Sequence, residues 1–362
     1  MIDKKLKYNQ IIEDLKTLIL SGTISSGDRL PSENELSLKY GVSRQTVRKA
    51  ISELSNAGYV YAVHGKGTFC SELMKQIHKS KNIAVVTTYM SDYIFPRVIK
   101  GIDEALNEEG YSIILKNTRN SRNQEARCLE ELLEKDIEGL IIEPSKSHIY
   151  CRHLHLYERL EECKIPYVFI QGCYSQMGDK PHVLLNDTRG GYLITKYLIE
   201  QGHKNIAGIF KSDDSQGQNR HRGYVKALQE AGIKYNPDLV IWFYTEDRAV
   251  HPGESMKELV LKDSGLDAVV CYNDQIAITV IRALQEIGVK VPMDISVTGY
   301  DNSYMASYGG LKLTTIAHPH EKLGEVAAKL LLHLMREGEN SLEEKNILME
   351  PEIVIGNSTI KR

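Results

Sequence analysis

Nine short apolar runs, separated by stretches with helical spacing, fill the chain from Asn82 onward. The runs do not alternate polar with apolar residues, which is typical of strands that helices cover on both faces of a sheet. Strands joined through helices form right-handed βαβ units, so the pattern predicts an α/β fold with doubly wound parallel sheets. The predicted strands are Ile83 to Thr87, Tyr111 to Leu115, Gly139 to Ile142, Tyr167 to Ile170, Val183 to Leu185, Ile206 to Phe210, Leu239 to Phe243, Ala268 to Cys271 and Ile295 to Thr298.

So many strands exceed what one sheet of this kind holds around a single core, and we therefore expect two lobes. The change from one lobe to the other is predicted near 202–205, after the helix that follows Asp187. The polar, aperiodic segment 71–81 precedes the first strand and is interpreted as a linker. The sequence therefore predicts an N-terminal domain at 1–70, this linker, and a two-lobed domain at 82–362.

The N-terminal domain carries the signals of two short helices joined by a tight turn. Ser32 and Glu35 have the S-x-x-E spacing of a capping box, which begins a helix. Gly41 can adopt the left-handed conformation that ends this helix, and Ser43 caps the next one. The pattern predicts a helix-turn-helix.

The second helix of this pair has a buried stripe and a polar outer face. Arg44, Gln45 and Arg48 point away from the stripe, and two guanidinium groups one turn apart suit guanine edges and phosphates. An ordinary amphipathic hairpin with solvated charges has the same pattern. The stripe at i, i+3, i+4 and i+7 is formed by Val47, Ala50, Ile51 and Leu54.

A hairpin signal follows directly. Tyr59 to Val63 and Thr68 to Cys70 flank a basic, glycine-containing tip at 64–67. An apolar helical stripe within Tyr8 to Leu20 predicts a further helix that packs behind the other two. A helix-turn-helix with such a hairpin is a winged helix, in which the second helix enters the major groove and the wing contacts the backbone or the minor groove.

The N-terminal domain resembles the GntR family of bacterial regulators. The resemblance rests on Leu30 to Glu33, on Gly41 to Arg44 with Thr46 to Arg48, and on Gly65 to Phe69. For Glu33, a role in stabilising the helix dipole and a role in reading the operator are both open. For Lys7 and Tyr8, the alternative to a DNA contact is a frayed N-terminus. The DNA-contacting residues that the resemblance and the helix face imply are Lys7, Tyr8, Glu33, Ser43, Arg44, Gln45, Thr46, Arg48, His64, Gly65 and Lys66.

The remainder resembles the regulatory domain of the LacI/GalR family, which has a periplasmic-binding-protein-like fold of two lobes that close on a small sugar. The resemblance lies in the ordered set Asn186-Asp187 with Gly190-Gly191, Gln201 to His203, Arg220 with Gly223-Tyr224, Cys271 to Ala277, Gly299 to Asn302, and Leu313 to Ile316. It covers Asn82 to about Ile355.

Sugar hydroxyls need carboxylate, amide and guanidinium partners, and such sites lie beyond the carboxyl ends of parallel strands. By the resemblance, Asp187, Arg220, Asn273, Asp301 and His318 line the effector pocket. Helix caps, loop turns and a structural histidine are the alternatives. Asp92, Tyr93 and Phe95 follow the first predicted strand, where this fold places the aromatic residues that stack on a sugar ring. Phe95 could equally belong to the hydrophobic core.

The combination of a GntR-like N-terminal domain with a LacI/GalR-like regulatory domain narrows the resemblance to arabinose-responsive repressors of Gram-positive bacteria. Thr87 to Pro96, Leu140 to Ser147 and Lys211 to Arg220 are similar to that family. The resemblance implies a homodimeric repressor that binds double-stranded operator DNA and releases it when L-arabinose binds. Pocket chemistry alone does not separate arabinose from xylose, ribose or galactose, and the same parts serve an activator.

Charge and motif content restrict the function further. Residues 1–70 hold ten Lys and Arg against seven Asp and Glu, although the net charge of the whole chain is −3. No apolar run approaches the roughly 20 residues that span a bilayer, and no leader is present, so we expect a cytoplasmic protein with no membrane partner.

The six cysteines are scattered, without metal-binding spacing, and are expected to be reduced. The sequence has no G-x-x-x-x-G-K-[ST], G-x-S-x-G or H-E-x-x-H motif. We therefore expect no metal site, no cofactor beyond the small-molecule effector, and no catalytic residue.

Overall fold

A computed structural model describes residues 2–20, 22–63, 65–71, 80–90, 94–262, 265–338 and 344–362. These residues divide into two units. One contains Met1–Asn82, Asp136–Glu138 and His155–Ile165, and the other contains Ile83–Lys135, Gly139–Leu154 and Pro166–Arg362.

The N-terminal part is a winged helix. It contains helices α1 (Ile2–Leu20), α2 (Glu33–Tyr40) and α3 (Arg44–Asn56) and strands β1 (Val60–Val63) and β2 (Gly67–Cys70). The strands pair antiparallel, with Val60 opposite Cys70 and Val63 opposite Gly67, which confirms the predicted hairpin. The first helix begins at Ile2, ahead of the predicted Tyr8, because no glycine or proline interrupts the good helix formers before it.

The predicted apolar stripe of α3 forms the centre of this domain. Its four residues are buried and pack against the apolar face of α1, so the polar face of α3 is turned outward. The capping box of Ser32 and Glu35 and the left-handed conformation of Gly41 are both present, as the sequence predicts.

The second unit contains two sheets, one in each lobe. The first-lobe strands are β3 (Asn82–Thr87), β4 (Ser112–Asn117), β5 (Gly139–Ile142), β6 (Tyr167–Ile170), β7 (His182–Leu185) and β15 (Asn346–Met349). The second-lobe strands are β8 (Ile206–Lys211), β9 (Val240–Phe243), β10 (Ala268–Cys271) and β11 (Ser296–Thr298). The strand order of the first sheet is β15-β7-β6-β5-β3-β4, and that of the second is β11-β10-β8-β9.

Helices connect these strands as βαβ crossovers, and four short strands complete the fold. The helices are α4 (Phe95–Asn107), α5 (Arg122–Leu133), α6 (Leu154–Glu162), α7 (Asp187–Glu200), α8 (Ser215–Glu230), α9 (His251–Lys262), α10 (Asp274–Glu286) and α11 (His320–Glu337). The short strands are β12 (Ser307–Tyr308), β13 (Leu311–Lys312), β14 (Thr315–Ala317) and β16 (Glu352–Val354).

All nine predicted strands are present as β3 to β11. The pairs β3–β5, β5–β6, β6–β7 and β7–β15 are parallel, as are all pairs of the second sheet, so the predicted doubly wound α/β architecture is confirmed. The strands β12 to β16, each of two to four residues, were not predicted.

The predicted position of the lobe change, near 202–205, is one helix too late. Ile194 and Leu198 of α7 are buried with Ile206 and Phe210 of the second lobe, so the chain enters that lobe between β7 and α7. The amphipathic spacing of a helix does not reveal which sheet it covers, and for this reason the sequence misplaced the change.

The chain passes between the lobes twice more. Asp301 bridges Ala317, and α11 then packs into the core of the first lobe through Leu323 and Leu331. After β15 the chain returns to pair β16 with β14. Three connections therefore join the lobes, and the carboxyl ends of both sets of strands face the cleft between them.

Candidate nucleic-acid interface and ligand cleft

The outer face of α3 presents the polar residues that the sequence predicted. Arg44, Gln45 and Arg48 are exposed. Ser43 caps the helix: its Oγ accepts a hydrogen bond from the Thr46 amide at 3.3 Å and lies 2.9 Å from Thr46 Oγ1. The start of α3 is therefore fixed by its own side chains and does not need its arginines as caps.

Arg48 is held by Glu33 at the start of α2. The guanidinium donates from Nε to Glu33 Oε1 at 3.0 Å and from the second terminal nitrogen to Oε2 at 2.9 Å. This hydrogen bond is the main reason why the pKa of Glu33 lies below its ordinary value. Beside the two roles left open by the sequence, Glu33 thus orients Arg48, a contact between residues 15 positions apart that local patterns do not predict.

Further basic groups surround these residues. Lys49 Nζ lies 5.5 Å from the centroid of the Tyr8 ring, and Lys7 Nζ lies beside the turn at Gly41. The predicted residues Lys7 and Tyr8 are therefore next to the helix-turn-helix, and Lys49 is an additional candidate that the sequence analysis missed.

The wing is supported by aromatic and basic side chains. Tyr61 and Phe69 stack at 5.9 Å, and the tip residues Gly65 and Lys66 are exposed. His64 lies outside the described residues. Arg29 packs against the backbone of the wing: a Cβ built on Gly67 would lie 2.8 Å from Arg29 Nε. Arg29 directly precedes the motif Leu30 to Glu33 and is a further candidate for a DNA contact that the sequence analysis missed.

Polar side chains from both lobes meet in one cleft at the carboxyl ends of the strands. Aromatic rings accompany them, namely those of Tyr89, Phe95, Phe243 and Tyr272. The polar residues that line the cleft are Thr88, Asn120, Glu143 and Gln171 from the first lobe and Lys211, Asp214, Gln216, Arg220, Arg248, Asn273, Gln275 and Asp301 from the second lobe.

Arg220 is the most constrained of these groups. Its guanidinium donates to Asp187 Oδ1 at 2.8 Å, to the Tyr272 carbonyl at 2.7 Å and to Asp301 Oδ1 at 3.4 Å. Its Cζ lies 3.5 Å from the centroid of the Tyr300 ring and 4.8 Å from that of Tyr272. A planar cation held by two carboxylates and two rings cannot swing away, so its position is preorganised.

A close helix crossing brings Arg220 to Asp187. A Cβ on Gly191 of α7 would lie 2.1 Å from the Arg220 carbonyl, and a Cβ on Gly223 of α8 would lie 2.1 Å from the Thr188 carbonyl. Only glycine permits this approach. Asp187 lies behind Arg220 and not among the lining residues, and burial raises its pKa to about 6 although Arg220 opposes the rise.

Asn273 and Asp301 both line the cleft. Asn273 Oδ1 accepts from the Ile276 amide at 3.0 Å and caps α10, while its Nδ2 has no hydrogen-bond partner among the described residues. Asn273 therefore caps a helix and lines the cleft at the same time, so the two roles that the sequence left open do not exclude each other. Asp301 has a φ of +91°, a conformation that costs free energy and aims its side chain at Arg220.

His318 lies behind the cleft wall and holds Gln171. Burial, with His320 and Arg220 nearby, keeps the pKa of His318 well below its ordinary value, so the ring is neutral. Its Nε2 therefore donates to Gln171 Oε1, at 2.9 Å. Gln171 Nε2 is buried without a partner among the described residues and is available to a ligand.

The sequence analysis missed two charged residues that line the cleft, Lys211 of the second lobe and Glu143 of the first lobe. Lys211 Nζ lies 3.0 Å from Asp214 Oδ2, which also accepts from the Tyr272 hydroxyl at 2.7 Å. Burial would lower the pKa of Lys211, but Asp214 and Asp213 raise it above the ordinary value. Burial raises the pKa of Glu143 to about 7 against two hydrogen bonds from Thr88. The sequence contained a signal for both residues, because Lys211 ends the apolar strand β8 and Glu143 directly follows the apolar strand β5.

Phe95 lies at the start of α4, where it lines the cleft and is also buried. Its ring centroid is 5.9 Å from that of Tyr89, over which Arg248 of the second lobe packs at 4.5 Å. Asp92 and Tyr93 lie outside the described residues.

Comparison with known proteins identifies both domains. Residues 7–70 match the family model for bacterial regulatory proteins of the gntR family, and residues 195–359 match that for a periplasmic binding protein-like domain. A solved complex of the transcriptional regulator CelR with cellobiose has a TM-score of 0.69 at 23% identity, covering 91% of this chain and all of that one. The fold and sites define a DNA-binding transcription regulator with a sensor domain.

Two curated relatives give the family. The chain is 40% identical to an arabinose metabolism transcriptional repressor of Halalkalibacterium halodurans, over 98% of this chain and 96% of that protein. It is 37% identical to the repressor of the same name from Geobacillus stearothermophilus, over 98% and 97%. The chain belongs to the family of arabinose metabolism transcriptional repressors.

Two further observations concern other classes of site. Within the described ranges, no helix is long and apolar enough to cross a membrane. The same residues contain no group of three or more His, Cys, Asp or Glu side chains that could hold a metal ion.

Proposed function

We propose that this protein is a repressor of arabinose-utilisation genes that leaves its operator when L-arabinose binds in the cleft. The observation that supports this proposal is that one chain combines a winged helix with a cleft lined by equal numbers of acidic and basic side chains. Among the described lining residues, Glu143, Asp214 and Asp301 oppose three cations, Lys211, Arg220 and Arg248. Balanced charges and planar polar groups suit an uncharged polyhydroxy ligand better than a phosphate or an acid.

The cleft would divide the work of sugar binding between polar and aromatic groups. Arg220, Asn273 and Asp301 offer donors and acceptors for adjacent hydroxyls, and Gln171 offers a donor from the first lobe. Phe95 and Tyr89 supply an apolar surface for the carbon face of the ring. Asp187 and His318 would act by fixing Arg220 and Gln171.

The winged helix would read operator DNA in the major groove through Arg44, Gln45 and Arg48. Its wing and the N-terminal basic residues would contact phosphates. We expect a cytoplasmic homodimer that presents two heads to a palindromic operator and needs no cofactor other than the sugar.

Sugar binding weakens operator binding only as far as the sugar prefers the conformation that binds DNA poorly. Couplings of this kind typically amount to about 1–3 kcal/mol. The lobes join through three chain connections, and a ligand held by both lobes favours their approach.

A gel-shift titration of the purified protein on DNA upstream of its neighbouring genes tests the proposal. L-arabinose, D-xylose, D-ribose and D-galactose are added separately. We expect release by L-arabinose alone. Release by another sugar would replace the effector, tighter binding with sugar would replace the repressor with an activator or corepressor-type regulator, and no shifted DNA would contradict the proposed operator site.

A further inference from the structure

The lobes make a set of direct contacts beside the cleft. Lys146 and Ser147, in the loop after β5, meet Asp213, Ser215 and Glu246 of the second lobe, and we call these five residues the clasp. Lys146 Nζ lies 2.6 Å from Glu246 Oε1 and 3.4 Å from Asp213 Oδ2. Ser147 Oγ accepts from the Ser215 amide at 2.9 Å and lies 3.0 Å from Ser215 Oγ.

The Lys146–Asp213 ion pair of the clasp is shielded from water, whereas Glu246 has 68% of its side chain exposed. Asp213 is fully buried, and Lys146 has only 16% of its side chain exposed. Burial would raise the pKa of Asp213, but Lys211, Thr245 and Lys146 together lower it, so this carboxylate is charged at neutral pH. The Lys146 hydrogen bond likewise lowers the pKa of Glu246. A charge pair in such a site is screened less than an exposed one.

The loop that carries the first-lobe half of the clasp is fixed by a buried carboxylate. Glu125 is completely buried and accepts hydrogen bonds from the Ser145 amide and the Tyr174 hydroxyl. The next residue, Lys146, has a φ of +50°, and its amide donates to Asn120 Oδ1 at 2.8 Å. Lys146 is therefore presented to the second lobe by a rigid loop in a conformation that lysine rarely adopts.

Neither Lys146 nor Ser147 lines the cleft, but their partners connect to it. Asp213 lies between Lys146 on one side and Lys211 at 3.6 Å on the other, and Lys211 lies on the cleft wall. The clasp forms only when the lobes are close. A sugar held by both lobes requires the same approach, so the clasp and the sugar favour one arrangement.

We infer that Lys146 is a positioning residue that sets effector affinity without touching the effector. It does so by raising the fraction of molecules in which the lobes are close, because apparent affinity scales with that fraction. The inference rests on the proposed function, in that the effector is taken to bind in the cleft between the lobes.

The test compares Lys146→Ala and Ser147→Ala with Lys322→Ala in the full-length protein. Lys322 forms an exposed pair with Glu325 on the same helix and serves as a matched loss of one positive charge. Isothermal titration calorimetry with L-arabinose should show about fivefold weaker binding for the two clasp variants and no change for the control. Lys146→Arg, which retains the charge, should recover most of the affinity.

Operator binding supplies a second readout. Without sugar, Lys146→Ala should bind operator DNA at least as tightly as the wild-type protein does, because Lys146 is not part of the winged helix and the arrangement that it favours is the one that binds DNA poorly. The L-arabinose concentration for half release should rise by the same factor as the dissociation constant. Wild-type sugar affinity in Lys146→Ala and Ser147→Ala, or an equal loss in Lys322→Ala, would overturn the inference.

Hydrogen exchange separates this inference from the proposed function. The Ser215 amide donates to Ser147 Oγ and the His148 amide lies 3.4 Å from the Asp213 carbonyl. Both amides should exchange faster in the two clasp variants than in Lys322→Ala, whether or not L-arabinose binds. Unchanged exchange would overturn the clasp itself, whereas faster exchange in a protein that binds none of the four sugars would contradict only the proposed function.

Discussion

The same chemical pair, an arginine with a carboxylate, lies at the centre of both candidate sites but in opposite surroundings. Arg48 and Glu33 in the winged helix have 72% and 33% of their side chains exposed. Arg220 and Asp187 in the sensor have 6% and 4%. An exposed pair contributes about 0–1 kcal/mol, whereas breaking a buried pair costs about 3–5 kcal/mol.

The difference matches what each site has to do. Arg48 must leave Glu33 or share it when DNA phosphates and bases approach, and a weak pair allows this exchange. Arg220 must present a fixed donor to a small ligand, and its two carboxylates and two rings hold it in place. Solvent exposure, more than residue type, thus separates an exchangeable arginine from a preorganised one.

The carboxylates differ in the direction of their pKa. In the winged helix, the hydrogen bond from Arg48 lowers the pKa of Glu33. In the cleft, burial raises the pKa of Glu143 to about 7 and that of Asp187 to about 6. The two regions should therefore respond to pH in opposite directions.

The largest expected effect is that of Arg220→Ala. It leaves two buried carboxylates facing each other without their cation, and the free energy of unfolding should fall by about 3–5 kcal/mol in urea denaturation. The folded variant should still bind operator DNA but should not release it with sugar, and Arg220→Lys should lose the response with a smaller loss of stability. Normal sugar release by Arg220→Ala would contradict the role of Arg220.

Glu143→Gln should change the pH dependence of stability. The folded-state pKa of about 7 lies above the ordinary value of 4.5, so the wild-type protein loses stability as pH rises through this range. The variant keeps an acceptor for Thr88 but does not ionise. From pH 4.5 to 8 it should gain up to about 3 kcal/mol relative to wild type. Parallel pH profiles in urea denaturation would show that Glu143 is ionised at little cost.

Arg44→Ala and Arg48→Ala should abolish operator preference. Each good guanidinium–base contact discriminates by about 1–3 kcal/mol, so specific binding should approach the level of binding to unrelated DNA. The ratio of operator to unrelated-DNA affinity at one salt concentration measures this effect. Retained preference in both variants would contradict the assignment of α3 as the reading helix.

The smallest expected effect is that of Glu33→Gln on stability, which should be less than about 1 kcal/mol and should vanish at high salt. Because the folded-state pKa of Glu33 is lowered, its contribution is present above the unfolded value and is lost as pH falls. Its pH profile should therefore slope opposite to that of Glu143→Gln. If the stability difference from wild type changed with pH in the same direction for Glu33→Gln and Glu143→Gln, the proposed difference between the winged helix and the cleft would be contradicted.

Local patterns in the sequence were sufficient for most of the secondary structure, although not for the strands β12 to β16 or the start of α1. The capping box, the stripe of α3 and the nine apolar runs depend on residues within one element, and all are found in the structure. The exposed face of α3 follows from the stripe, and the cleft position of Asn273 and Asp301 is consistent with their place after strands.

Pairings between distant residues were not predictable. His318 meets Gln171 over 147 positions, and Arg220 meets Asp187 through a helix crossing that depends on Gly191 and Gly223. Two predicted pocket residues, Asp187 and His318, consequently lie behind the wall, while Lys211 and Glu143 line it. A sequence indicates which side chains follow strands, but the packing of the lobes decides which of them face the cleft.

Thermodynamic linkage between the two sites is the central claim, and a reciprocal binding measurement tests it most directly. Operator affinity is measured by fluorescence anisotropy with and without saturating L-arabinose, and L-arabinose affinity is measured by calorimetry with and without saturating operator. Linkage requires both ratios to be equal, and we expect a factor of about 5–150. Tight binding of L-arabinose that leaves operator affinity unchanged would contradict the account.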